Sequence, residues 1–295
     1  MASYRQVMQE AVKKCQKAAV SAESAQILLL ELCNMNYTDL YLNYENEIDE
    51  SINRQFQTGL KRLLKNEPLH YILGYQWFYG YKILVSENCL IPRYETEELV
   101  ANVLADADYY FKDYKSIDIA DVGTGSGAIA IALKKEENRF NMFATDISDK
   151  ALDIAKNNCE INNCEITFFQ GDMLQPLIEN EIRLDMLVCN PPYIPSRQNM
   201  EKSVFDFEPH LALFGGEDGL LFYRSVFENA RKVLKDKSIM AFEIGFDKKE
   251  ALEKLVKEHF PNDKYEFLKD INGKNRMLFI YHNLDHNSDS RHNSD

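Results

Sequence analysis

The chain has 295 residues, 45% of them hydrophobic, which allows a sizeable core and either two domains or one large one. Its net charge of −13 argues against a broad, non-specific grip on nucleic-acid backbone, which needs clustered Lys and Arg, while leaving room for a local basic patch. Six cysteines without a Cys-x-x-Cys pair, and six histidines that do not cluster with them, argue against a zinc site or a disulfide framework.

The acidity is uneven. Residues 1–90 carry 9 Lys/Arg against 10 Asp/Glu, so −12 of the charge falls on the remainder, and the two parts are expected to face different partners. Met1 to Val20 holds Lys13, Lys14 and Lys17 in an amphipathic pattern without a long apolar block, unlike a signal peptide. No apolar run approaches membrane-spanning length, so a soluble protein of the reducing cytoplasm is expected.

Residues 3–66 read as helices. Val7, Ala11, Cys15 and Ala18 recur at helical spacing, and an apolar helix is expected over Ala25 to Cys33. Thr38 is the expected N-cap of a short helix, and Ile48 to Leu64 the next helix. Pro68 opens a short turn of helix that Gly74 ends. This gives a helical bundle over 1–74, expected either as a scaffold or to position a macromolecular substrate. Residues 75–92 change to strand character around Gly80 and read as a β-hairpin linker. Arg93 follows, between the hairpin and the mouth of a helix, and is either a surface charge or a cleft residue.

From residue 116 strands and helices alternate, which predicts a doubly wound, mostly parallel α/β sheet over 93–282. Strands are expected at 117–122, 142–146, 166–170, 184–189, 238–244, 265–269 and 276–282. Helices are expected at 127–135, 148–158, 219–235 and 247–259. The last two strands join through Asn272-Gly273, too short for a helical crossover, so they are expected to be antiparallel. The tail over 283–295, with His-Asn-Ser-Asp twice, reads as a disordered polar segment. The stretch from Ile194 to Glu217 is long for a connection and is a candidate substrate loop.

Four strand ends carry the chemistry. The first leads into Gly123-Thr124-Gly125-Ser126-Gly127, where glycines let backbone approach a ligand and the following helix offers free N–H groups. Gly123-x-Gly125-x-x-Ala128 also satisfies a dinucleotide fingerprint, so by itself this loop does not separate NAD from S-adenosylmethionine. The second ends at Asp146, suited to a ribose diol or, less specifically, to capping the helix near Ser148. The third ends at Gly171-Asp172-Met173, where an acid can accept from an adenine amine and a thioether can lie on the ring. The fourth is Asn190-Pro191-Pro192-Tyr193. Its prolines stiffen the backbone and remove two donors, leaving carbonyl acceptors, one carboxamide and one aromatic ring. Alone it reads as an ordinary turn; beside the other three tips it suits a flat NH2 group.

Together with these tips, several stretches resemble the HemK/PrmC family over roughly residues 60–280. They are Pro68-Leu69-His70-Tyr71-Ile72-Leu73-Gly74, Phe78-Tyr79-Gly80, Leu90-Ile91-Pro92-Arg93-Tyr94-Glu95-Thr96-Glu97, Asp121 through Ala130, and Glu208-Pro209 with Leu213 through Leu220. The resemblance implies a Rossmann-like S-adenosylmethionine-dependent methyltransferase with an antiparallel last strand. Its substrate would be the glutamine of the Gly-Gly-Gln motif in class 1 peptide chain release factors, methylated on the side-chain nitrogen. It implies cofactor contacts at Gly123, Thr124, Gly125, Ser126, Gly127, Asp146, Asp172, Met173 and Asn190. It places the target amide on Asn190, Pro191, Pro192 and Tyr193, with Arg93 beside them. No metal, membrane or direct nucleic-acid substrate is expected. Tyr94 stands where the family usually has proline, and Met173 where an aromatic is common. An adenine-N6 or other exocyclic-amine methyltransferase of nucleic acid is the alternative, because it shares the Asn-Pro-Pro-Tyr geometry; a non-catalytic scaffold is a third reading.

Overall fold

A computed structural model describes residues 2–196 and 200–284. The expected disordered tail, including both His-Asn-Ser-Asp copies, lies outside the described residues apart from 283 and 284, and so do positions 197–199 of the expected substrate loop. The chain divides into two compact units: residues 1–75 with 200–208, and residues 76–199 with those from 209 onward.

The first unit is helical. Helix α1 (Tyr4–Ala18) starts at a reciprocal capping box between Ser3 and Gln6. Helix α2 spans Ala22–Cys33, one turn earlier than its apolar run suggests, because Ser21 turns the chain before the first buried residue. Helix α3 (Tyr37–Leu42) is capped by Asn36, not Thr38; the Asn36 side chain accepts from the Asp39 N–H at 2.9 Å, and Thr38 falls inside the helix. Helix α4 (Glu50–Leu63) is capped by Asp49, and α5 (Leu69–Leu73) ends at Gly74 in the left-handed conformation. Leu28, Leu29, Phe56, Leu60 and Leu63 form the core, each buried side chain contributing about 1.5–3 kcal/mol. Gly59 lets α4 come against α2, since a β-carbon there would stand 2.7 Å from Leu28 Cδ2. Helix α10 (Lys202–Phe207) groups with this unit.

Apart from its first residue, β1 (Tyr75–Phe78) lies in the second unit, where it makes the expected hairpin with β2 (Tyr81–Leu84). Tyr79 and Gly80 both take positive φ, the requirement of a type I′ turn. The main sheet contains β3 (Ile117–Val122), β4 (Phe140–Asp146), β5 (Thr167–Gln170), β6 (Leu184–Cys189), β7 (Leu234–Glu243), β8 (Lys264–Lys269) and β9 (Asn275–His282). Their order is β5-β4-β3-β6-β7-β9-β8, with β9 antiparallel to both neighbours and the other pairs parallel. Helices α6 (Tyr94–Tyr110), α7 (Ala128–Glu136), α8 (Asp149–Ile161), α9 (Gln175–Glu179), α11 (Leu221–Asn229) and α12 (Lys249–His259) complete the unit. The expected helix over 219–235 is shorter: α11 gives way to a 3₁₀ turn over Ala230–Lys232, and β7 begins at Leu234. The polar run after Leu234 hid that start. Lys235 belongs to the strand and reaches Asp118 at 2.6 Å and the buried Asp185 at 2.7 Å.

Chain order leaves β3 for β4 and β5 on one side, then returns to β6 on the other. The switch point of the sheet therefore lies between β3 and β6, where open α/β sheets bind ligands. Val122 pairs with Cys189, and Cys189 with Phe242, so Gly123, Asn190 and Glu243 stand at one level. Among the described residues no helix is long and apolar enough to cross a membrane.

Candidate active site

The strand tips at the switch point open onto a cleft of about 810 Å³, part of it open to solvent. Gly123, Gly125, Asp146, Asp172, Met173, Asn190 and Pro192 all line it. Thr124, Ser126, Gly127, Pro191, Tyr193 and Arg93 do not line it.

The glycine loop is built for close approach. Gly123 and Gly125 have φ of +75° and +57°, and a β-carbon on either would meet nothing within 4 Å: the space they leave is cleft. Gly127, at φ +82°, is the N-cap of α7 and instead faces Ala155, whose Cβ a side chain would approach to 3.1 Å. Thr124 and Ser126 are buried below the loop. The Thr124 hydroxyl donates to Asp121 Oδ2 at 2.6 Å, while Asp121 Oδ1 is buried with no hydrogen-bond partner. Burial pushes the Asp121 carboxyl up to about 7, against the pull of the Thr124 bond. Asn158 fixes the loop from the α8 side: its amide donates to Ser126 O and Leu84 O, both at 2.9 Å, and its oxygen accepts from Leu84 N at 2.7 Å.

Asp146 accepts from Gly125 N at 2.8 Å and from Ser148 N at 2.9 Å, tying the first two tips together. The helix cap itself is Ser148, whose hydroxyl accepts from Ala151 N. Each Asp146 oxygen thus keeps lone-pair capacity on the cleft wall. Burial raises its pKa, with the Ser148, Gly125 and Ile147 N–H groups opposing. Ile147 next to it is half exposed on the same wall, an apolar face beside a polar one. Met173 has φ +44°, its carbonyl held by the Thr145 hydroxyl at 3.0 Å; the exposed Asp172 precedes it. Gly171 admits α9, for a β-carbon would stand 2.5 Å from Pro176 Cγ.

The Asn190–Tyr193 turn is held from below and beside. The Asn190 amide nitrogen donates to Thr96 Oγ1 at 3.3 Å, and Thr96 donates to Glu243 Oε2 at 2.5 Å. Glu243 Oε1 accepts from the Tyr193 hydroxyl at 3.3 Å, and its backbone carbonyl accepts from Tyr223 at 2.7 Å. One buried carboxylate therefore ties both ends of the turn. Burial raises the Glu243 pKa, opposed by the Thr96 bond, the Arg276 charge and the Tyr193 bond. Burial also raises the Tyr193 phenol, as does the Glu243 charge, while the Arg276 and Arg93 charges act the other way. That electrostatic effect on Tyr193 is where Arg93, the N-cap of α6, enters the site.

Beside the turn runs Gly215-Gly216-Glu217-Asp218-Gly219. A β-carbon at Gly215 would overlap the Pro192 carbonyl, and one at Gly219 the Tyr193 carbonyl. Gly215 N donates to Ile194 O, and Ile194 N to Leu213 O, which closes this segment on the turn. Asp218, bonded by Arg224, is held down to about 2 and accepts from Leu220 N at the start of α11. Among the described residues no donor reaches Asn190 Oδ1, on the cleft wall, or the carbonyl of the buried Pro191 that follows it.

Sequence reasoning missed Glu243, Tyr223 and the role of Thr96. Glu243 carried a readable signal: it ends the apolar run Ile239-Met240-Ala241-Phe242, as Asp146 ends its own strand. The cleft walls Cys89, Leu211 and Phe222 carried none, because segments far apart in sequence bring them there.

Comparison with known proteins gives two family matches: the Methyltransferase small domain over residues 98–207 and the PrmC N-terminal domain over residues 6–74. The chain is 40% identical over 258 residues to the release factor glutamine methyltransferase of Bacillus cereus, covering 87% of this chain and 91% of that protein. It is 37% identical over 280 residues to the protein of the same name from Staphylococcus aureus, covering 94% and 99%. Among solved structures, the hMettl16 catalytic domain in complex with an RNA hairpin of the MAT2A 3'UTR has a TM-score of 0.54 at 18% identity, covering 85% of each chain. That likeness is one of fold.

Proposed function

The chain belongs to the family of release factor glutamine methyltransferases, and on that premise we propose that it methylates the side-chain amide nitrogen of the glutamine in the Gly-Gly-Gln motif of class 1 release factors. The methyl donor is S-adenosylmethionine, which supplies a methyl group already activated on a sulfonium. The cleft fits such a molecule. Gly123 and Gly125 leave room for its amino-acid end, Asp146 offers acceptors for a ribose diol, and Ile147 and Met173 give apolar faces for a purine with Asp172 at its edge.

The observation that supports the reading is the pair of unclaimed acceptors, Asn190 Oδ1 and the Pro191 carbonyl. A primary carboxamide brings two hydrogens and a nitrogen whose lone pair is delocalised into its carbonyl. Accepting both hydrogens fixes that nitrogen and favours its rehybridisation as positive charge develops. Tyr193 closes the far side of the turn. The residues thus act by alignment, and the surplus proton leaves the methylated nitrogen for solvent. The cytoplasm, where release factors work, is the proposed compartment.

The test is transfer from methyl-labelled S-adenosylmethionine with release factor, DNA and RNA offered side by side. Label in the release factor is expected. Label confined to nucleic acid would overturn the reading in favour of exocyclic-amine methylation, which the same turn geometry serves.

A further inference from the structure

We infer that Thr96 is a positioning residue whose hydroxyl, its one proton committed to the buried Glu243, fixes which end of the Asn190 carboxamide faces the substrate. This rests on the proposed role of Asn190 as an acceptor for the target amide. A carboxamide can be seated in two ways related by a half-turn, one presenting oxygen to the cleft and the other presenting NH2. Only the first accepts from a substrate amide; the second sets donor against donor. Nothing in Asn190 itself decides between them.

The surroundings decide. A threonine hydroxyl has one proton and two lone pairs. Its proton goes to Glu243 Oε2 at 2.5 Å, so toward Asn190 it can only accept, and the Asn190 amide nitrogen donates to it at 3.3 Å. The oxygen is left for the substrate. Thr96 and Glu243 are 3% and 2% exposed, so water does not substitute for either. The sheet register brings them together: Glu243 stands one residue beyond Phe242, the partner of Cys189, and so level with Asn190. Glu243 also accepts from Tyr193, so the carboxylate that sets the amide orientation steadies the other end of the turn.

The test uses the full chain with Thr96→Val, which keeps the shape and removes the hydroxyl, and Thr96→Ser, which restores it. Steady-state kinetics on a release factor are read beside S-adenosylmethionine affinity, Tm, and the side-chain ¹⁵N–¹H signals of Asn190. Thr96→Val is expected to lower kcat about 10²-fold, the scale of a lost reactive alignment, with little change in donor affinity. Thr96→Ser is expected to recover most of that loss. The Asn190 amide protons should lose their hydrogen-bonded shift in Thr96→Val and regain it in Thr96→Ser. Wild-type kcat in Thr96→Val, equal losses in both variants, or an unmoved Asn190 signal would overturn the inference. If the wild-type chain leaves release factors unmethylated while the Asn190 signals still follow the hydroxyl, the substrate reading fails and the positioning role stands.

Discussion

Asn190 and Asp121 sit at adjacent strand ends and illustrate two uses of a polar side chain. Asn190 keeps an acceptor on the cleft wall, so Asn190→Ala removes the contact proposed for the reacting amide. Methyl transfer is expected to fall at least about 10²-fold while S-adenosylmethionine affinity is retained, as titration calorimetry beside turnover would show. Asp121 is sealed away with one oxygen unpartnered, and its pKa rises from 3.8 to about 7. A raised carboxyl favours the folded state below pH 3.8, and that advantage disappears as pH climbs through 7. Asp121→Asn removes the titration, so the stability of the variant relative to wild type should grow between pH 4 and 7, by about 4 kcal/mol. Urea unfolding across that range reads it; a constant difference would contradict the assignment. Gly123, Asp146, Met173 and Asn190 on the cleft wall were legible because each stands at a strand end in a characteristic short motif, unlike Cys89, Leu211 and Phe222. Thr96 was within a readable stretch, but its role depends on a partner 147 residues away that only the sheet register supplies.

At the scale of elements, the loop over 215–219 is the mould for the Asn190–Tyr193 turn. Gly219 has φ +79° and no space for a side chain against the Tyr193 carbonyl. Gly273, at φ +76° in the β8–β9 turn, has nothing within 4 Å. Alanine at either position meets the left-handed penalty of about 1–2 kcal/mol. Only Gly219→Ala also displaces the turn, so both variants should lose Tm and only Gly219→Ala should lose most of its turnover. Equal turnover in the two would contradict the mould. Apolar strands and glycine-ended helices were readable because burial and turn chemistry leave local marks, as at β6 and at Gly74. The start of β7 was not: Lys235 is a strand residue for the sake of Asp118 and Asp185, which a local reading does not see. The N-cap of α3 went to Asn36 over Thr38 because Asn36 completes a reciprocal box with Asp39.

The whole molecule is acidic, with nearly all of its excess charge beyond residue 90. A surface of that sign repels polyanions, so the chain is expected to show no retention on duplex DNA at physiological salt, where non-specific binders reach Kd values of about 10⁻⁴–10⁻⁶ M. Salt-sensitive retention in a gel-shift experiment would count against that expectation. The α/β architecture was legible from strand–helix alternation, and the antiparallel last strand from a connection too short to cross over. The grouping of residues 200–208 with the helical unit was not, since a six-residue helix in a polar stretch leaves no periodic signature. The central claim joins the cleft to the paired acceptors of Asn190 and Pro191. It is tested most directly by fragment mass spectrometry of a release factor after incubation with the chain and S-adenosylmethionine. One methyl group on the side-chain nitrogen of the Gly-Gly-Gln glutamine is predicted; an unmodified glutamine, or methyl groups only on other residues, would contradict it.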